Sequence, residues 1–355
     1  VIGIEPSGHY WKPLAHYLIH YGYTVVTVNP HHVKKSKEFD DNSPTKNDKK
    51  DAYIIAHLVS EGRFFELYIP RGIYQDLRVL TATRQQLKQK YNSAKNRLVA
   101  FLDEYFPEYQ RIFKDLLGKA SWYILNHLPF PKDIRAKSIE QLTEFLKQAS
   151  RNRVGEKRAR KLKEAAQESI GVEEGLEAAR VRLKSILREL QFYKEELEKI
   201  HQQLEKALQR TRLKDTILSI PGIGVVTAAS FLGEVGDVRR FDSWKQIRKL
   251  AGYNLVENSS GERKSRSTIS KRGRSSLRSI LYQASLILVS KNQEFKVLYK
   301  LLKTRPNNPL KSKQALVAII NKLLRVLFAL ITQGKEYDAS KVYGPKREAQ
   351  LKHAA

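Results

Sequence analysis

The hydrophobic pattern changes period several times along the chain, and each change marks an element. Val1-Ile-Gly-Ile-Glu5 is a short continuous apolar run, which predicts a buried strand. Over residues 10–21, Trp11, Leu14, Leu18 and Ile19 recur at helical spacing, and Thr24-Val-Val-Thr-Val28 returns to a strand pattern. Strand, helix and strand in this order predict a βαβ unit with parallel pairing and a right-handed crossover, so the first layer is α/β. After a polar loop around Asp40 to Pro44, residues 48–59 predict a helix whose apolar face is Ala52, Ile55, Ala56 and Val59. A long basic helix is expected from Ile73 to Phe106, where Pro107 ends it. Residues 121–170 read as a small helical insert divided by Pro129 and Pro131, whose closing basic run, Arg151 to Lys163, has the composition of a solvated face.

The most regular pattern lies at residues 176–207. Leu176, Leu183, Leu190, Leu197 and Leu204 occupy one heptad position, and Ala179, Ile186, Tyr193, Ile200 and Ala207 the other. Such a seam predicts a coiled coil. If its partner is another chain, the protein is at least a dimer; an antiparallel helical hairpin inside one subunit satisfies the same pattern. Beyond Leu213 the pattern is one of short helices and tight turns, closed by the apolar residues 315–331. That stretch is interrupted by Asn321, Lys322 and Arg325 and is too short to span a bilayer, so it reads as a core helix and no membrane partner is expected.

Charge narrows the function. Lys and Arg number 65 against 37 Asp and Glu in 355 residues, a formal charge of +28 that points to a polyanion, nucleic acid first. There is no cysteine, which excludes disulfides and thiolate zinc sites and suits a reducing cytoplasm. The nine histidines show no metal-ligand spacing. No signal peptide opens the chain, and Val1 begins inside a strand-like run without an initiator methionine, which suggests that a preceding segment is missing.

Three constellations carry candidate chemistry. In Ile220-Pro-Gly-Ile-Gly224, Gly222 and Gly224 let backbone approach a phosphate while the next helix offers its free N–H groups, the arrangement of a helix-hairpin-helix module. Residues 239–278 form a cationic stretch that includes Arg263, Lys264, Arg266, Lys271, Arg272, Arg274 and Arg278, a candidate phosphate grip sustained by counterion release. Asn258-Ser259-Ser260-Gly261 lies in its middle; a serine hydroxyl there is a turn residue or, if activated, a nucleophile. Glu5 at the end of its strand, with Asp48 and Asp51 three apart on a helix, is a carboxylate set that could hold Mg²⁺, or simply surface charge.

Taken in order, Glu5-Pro-Ser-Gly-His-Tyr10, Val28-Asn-Pro30, Lys46-Asn-Asp48-Lys-Lys-Asp51-Ala52, the Pro221-Gly-x-Gly224 hairpin, Gly252-Tyr253, Ser260-Gly261, Ile269-Ser-Lys-Arg-Gly273 and Leu277-Arg278 closely resemble the insertion-sequence one-ten family of DEDD transposases, which are bridge-RNA-guided recombinases. The resemblance runs over nearly the whole chain. It implies an RNase H-like, RuvC-type nuclease domain at the N-terminus, in which Glu5, Asp48 and Asp51 match the last three acidic residues and the first aspartate precedes Val1. It also implies a C-terminal transposase domain with Ser260 as the residue that attacks DNA, a site shared between subunits, and a structured guide RNA pairing with donor and target DNA.

The expected organisation is therefore α/β plus all-α. A RuvC-like domain occupies residues 1–110, a helical insert 111–170, a coiled coil 171–212, a transposase domain 213–340 and a tail 341–355. The expected function is site-specific DNA recombination by a homodimer or homotetramer using Mg²⁺. The rivals are a metal nuclease acting through water on branched DNA, with Ser260 structural, and a non-catalytic nucleic-acid-binding remnant of a transposase.

Overall fold

A computed structural model describes residues 1–41, 48–256, 259–260, 263–264 and 268–344. The chain divides into two compact units, Val1–Arg71 and Gly72–Ala355. It is mostly helical, with one small mixed sheet in the first unit.

In that unit β1 (Ile2–Ile4) pairs in parallel with β2 (Val25–Thr27) across α1 (Trp11–His20), as the βαβ pattern predicts. The helix buries Ala15 and packs Trp11, Leu18 and Ile19 against Ile4 and Val25. A two-residue β3 (Phe65–Glu66), too short to carry a period, adds antiparallel to β2 and completes the order β1-β2-β3. An unforeseen α2 (Pro30–Asp41) precedes α3 (Asp48–Ser60) and starts on Pro30, whose fixed φ and missing N–H suit a first helical position. The buried face of α3 is Ile54 and Leu58, flanked by Ile55 and Val59, whereas Ala52 and Ala56 are exposed. The expected face is thus corrected: branched side chains of this size gain more from burial than alanine does. The rotation turns Asp51 toward the partly buried side and leaves Asp48 outside. The same helix lies on β1 at Gly3, where a Cβ would come within 2.7 Å of Val59 Cγ2, so only glycine permits this approach.

The second unit is organised by two long helices, α4 (Ile73–Tyr105) and α10 (Leu176–Arg210). Ion pairs join Asp76 to Arg210, Arg97 to Glu189 and Glu104 to Arg182 at 3.5, 2.5 and 2.8 Å. Each step up one helix is matched by an equal step down the other, so they run antiparallel. The heptad seam is therefore filled from within the chain: Ala179, Leu183, Ile186, Leu190, Leu204 and Ala207 are buried without a second subunit. This corrects the expectation that the seam as a whole faces another chain. A heptad pattern demands a partner helix and says nothing of which chain supplies it.

Two cores grip the ends of this hairpin. At one end α5 (Tyr109–Ile112), α6 (Lys119–His127), α7 (Pro131–Arg135), α8 (Ile139–Ser150) and α9 (Glu156–Gln167) close around Leu98, Phe101, Leu102, Phe106 and Tyr109. At the other end α11 (Lys214–Leu218), α12 (Val225–Val235), α13 (Trp244–Leu250), α14 (Ser275–Lys291), α15 (Gln293–Thr304) and α16 (Ser312–Gln333) form the larger core with Leu77, Leu204 and Leu208. Between them, residues 82–93 of α4 and 191–203 of α10 form a two-helix stalk that contains no fully buried side chain, with Tyr91 and Tyr193 packed against one core and Ile200 against the other. By length and composition α16 could cross a membrane, but it buries Ile319, Ile320, Leu323, Leu324 and Leu327 inside the larger core.

Candidate active site and nucleic-acid interface

The serine segment, residues 255–269, is called the serine arm below, and its described parts are two antiparallel strand pairs. Its root is the antiparallel pair β4 (Leu255–Val256) and β7 (Thr268–Ile269), and its outer part the pair β5 (Ser259–Ser260) and β6 (Arg263–Lys264), with Ser260 opposite Arg263 in the backbone ladder. Side-chain placement of these four outer residues, and Arg266 altogether, lies outside the described residues.

What anchors the arm is a close backbone crossing below it. The N–H groups of Ser270, Lys271 and Arg274 donate to the carbonyls of Asn254, Gly252 and Leu250 at 2.7, 3.1 and 2.8 Å. Gly273 makes the crossing possible: its φ is +151°, and a Cβ would stand 2.4 Å from the Leu250 carbonyl oxygen and 2.7 Å from the Gly252 nitrogen. Beneath the crossing, Tyr253 is 2% exposed and donates its hydroxyl to the Arg278 carbonyl at 2.9 Å. Burial pushes the Tyr253 phenol up to about 12.

The cations named in the sequence divide into two groups. Arg278 donates to the Ala251 and Lys271 carbonyls, and Arg274 donates to the Glu234 carbonyl and lies 3.8 Å from that residue's carboxylate. Arg248 donates to the Asn254 side chain and, like Arg325, sits over the Trp244 ring. These guanidinium groups help hold the arm's base together. Arg239, Lys245, Lys249, Lys271 and Arg272 are exposed, without an ion-pair partner among the described residues.

The glycine hairpin joins α11 to α12. Ile217, Ile220 and Ile223 are buried beneath it, so the turn is held from below. Gly222 takes φ +97°, which favours glycine, whereas Gly224 faces open space and starts α12 without a side-chain cap. The first amides of an 11-residue helix are thereby left to an outside acceptor such as a phosphate oxygen.

The carboxylates are less well assembled. Glu5 is half-buried just past β1, Asp48 is exposed in the first turn of α3, and Asp51 is ion-paired with Lys37 of α2. Among the described residues no three His, Asp or Glu gather into a cation cage. As placed, then, the three carboxylates do not fit a bound divalent cation. Nothing in the sequence spacing marks Lys37, which lies on the strongly polar helix α2.

Comparison with known proteins decides the lineage. A model described as "Transposase", of the DEDD type, matches residues 1–107, and one described as "Transposase IS116/IS110/IS902 family" matches residues 214–300. The chain belongs to the IS110 family of DEDD transposases. The first match holds Glu5, Asp48 and Asp51, and the second holds both the glycine hairpin and the serine arm. DEDD membership implies a divalent metal. Among relatives, the chain is 23% identical to an insertion element IS110 protein of Streptomyces coelicolor over 83% of its own length and 72% of the relative's. It is 33% identical to the transposase for insertion element IS1111A of Coxiella burnetii, over 34% of this chain and 33% of that one. It is also 30% identical to a pilin gene-inverting protein of Moraxella bovis, over 34% of this chain and 38% of that one.

Proposed function

We propose that this IS110-family member is a site-specific DNA recombinase of an insertion sequence, with Ser260 as its nucleophile. The observation that supports the reading is the serine arm: Ser260 pairs with Arg263 in a two-stranded ladder, and the backbone crossing at Gly273 beside it carries exposed Arg and Lys. In the reaction the Ser260 hydroxyl loses its proton and its oxygen attacks a DNA phosphorus. The phosphodiester bond to the departing strand breaks, the departing strand's oxygen takes up a proton and leaves as a hydroxyl, and the phosphodiester to Ser260 keeps the bond energy for rejoining. A free hydroxyl of the second DNA then reverses the step, so no nucleotide triphosphate is required. The relative named for inverting a pilin gene supports recombination over simple hydrolysis.

On this reading residues 1–110 serve as a RuvC-type domain, 111–170 as an insert, 171–212 as a coiled-coil element and 213–340 as the transposase domain, ahead of a 341–355 tail. Glu5, Asp48 and Asp51 are the carboxylates that the family relies on for Mg²⁺, and holding it requires Lys37 to leave Asp51. Gly222, Gly224, Lys271 and Arg272 contact donor and target DNA or the structured guide RNA in the bacterial cytoplasm. The stalk joins two subunits: Leu87, Leu197 and Ile200 are only half-buried there, and a second hairpin laid against them completes their burial. The test uses Mg²⁺, guide RNA and a cognate DNA pair. Ser260→Ala should bind DNA at native affinity and cut neither strand; undiminished cutting would leave a water-using nuclease as the correct reading.

A further inference from the structure

A second binding feature lies well along the chain from the serine arm, where the stalk meets the five-helix insert. Tyr91 of α4, Leu117, Lys119 and Trp122 at the start of α6, and Leu190 and Lys194 of α10 surround a cleft of about 120 Å³. Its floor is apolar, with Leu190 1% exposed. Tyr91 and Trp122 are each half-buried, and neither ring stacks on another aromatic ring among the described residues. Lys119 and Lys194 are exposed at the rim, and a third ammonium, Lys88 Nζ, lies 4.9 Å from the Tyr91 ring centroid. Acidic groups close by are Asp115, whose carboxylate accepts from the Leu117 N–H at 3.1 Å, and Glu195, which accepts from the side chain of Gln191 in the cleft wall.

We infer that this cleft receives one unpaired base of a nucleic-acid strand. The volume falls far below the roughly 300–1,000 Å³ of sites for whole small molecules, so the cleft takes a single flat ring. Two aromatic side chains provide the stacking surface that unpaired bases seek. The Lys119 and Lys194 ammonium groups at the rim match the phosphates that flank such a base and must stay outside. A duplex, whose bases are stacked and paired, presents no ring to it. This places a single-strand contact on the insert, separate from the phosphate grip around the serine arm and independent of whether Ser260 is a nucleophile.

The chain contains three tryptophans, so a Trp11→Phe, Trp244→Phe variant leaves Trp122 as the sole reporter. Titration with short single-stranded oligoadenylate, as RNA and as DNA, should quench Trp122 emission saturably, and the same length of duplex should not. Quenching by RNA alone or by both strands supports the cleft and tells which source fills it. In this background Lys119→Glu with Lys194→Glu, both exposed positions that leave the core intact, should move the midpoint to higher oligonucleotide concentration by on the order of tenfold. Trp122→Ala, followed with a labelled oligonucleotide, should weaken single-strand binding by about 5- to 150-fold, the loss of one stacked base. Unchanged Trp122 emission when the labelled oligonucleotide is fully bound would overturn the inference, as would a midpoint that ignores the charge reversals.

Discussion

Replacing Gly273 by alanine tests whether the backbone crossing below the serine arm is what positions it. The new Cβ faces two penalties. At φ +151° an L residue is strained by about 1–3 kcal/mol. Contacts of 2.4 Å to the Leu250 oxygen and 2.7 Å to the Gly252 nitrogen are with backbone, which cannot swing aside as a long side chain would, and relieving them costs a further ~1–3 kcal/mol. A total of about 2–6 kcal/mol is comparable with the whole stability of a domain, roughly 5–15 kcal/mol, so the cheaper response is to open the crossing locally. Hydrogen exchange should then quicken at the Lys271 and Arg274 amides, which donate across it, while α12 and α16 keep their protection. DNA cutting should fall with the loosened arm. Gly334→Ala is the control, since Gly334 has φ +64° with open space around it and suffers only the conformational penalty. If urea unfolding and exchange show Gly273→Ala to be no more perturbed than Gly334→Ala, the crossing does not hold the arm.

Three further outcomes follow from the same structure. Leu197→Glu with Ile200→Glu should convert the protein to monomers by light scattering, because α4 and the larger core leave both only half-buried; retention of the native mass would place the subunit contact elsewhere. Nucleic-acid affinity should fall steeply between low and physiological salt, and Lys271→Glu with Arg272→Glu should flatten that slope in a filter-binding series, whereas an unchanged slope would remove these two from the phosphate grip. Burial raises the Tyr253 phenol from an ordinary value near 10 to about 12, so the unfolded chain gives up this proton first, and the stability it contributes is intact below pH 10 and lost as pH rises toward 12. Tyr253→Phe should lose less of its denaturant midpoint over that range than the native chain; parallel losses would contradict the assignment.

Long periodic segments and backbone-driven motifs were legible before any coordinates. The βαβ start, the extent of α4, the apolar α16 and the glycine hairpin all follow from patterns in which the informative residues are neighbours in sequence. Less legible was whatever depends on distant partners. The leucines of α10 specify a seam but not that α4, some hundred residues earlier, fills it. Ala52 and Ala56 satisfy a helical period as well as Ile54 and Leu58 do, and only the packing against β1 and α2 decides which face turns inward. The same packing brings Lys37 to Asp51 and keeps the carboxylates from forming a cage. Arg274 and Arg278 look in sequence like any other members of a basic run, yet their guanidinium groups hold carbonyls at the arm's base. Charge alone does not tell which cations of a basic run also brace the backbone.

The central claim is that Ser260 attacks the DNA. Trapping the reaction with cognate donor and target DNA, Mg²⁺ and guide RNA, followed by nuclease trimming and peptide mass spectrometry, measures it directly. A nucleotide remnant should be found on the Ser260 oxygen, present in the native protein and absent from Ser260→Ala. Efficient strand cutting with no protein-linked nucleotide at any time point, or an adduct that persists in Ser260→Ala, would contradict the account.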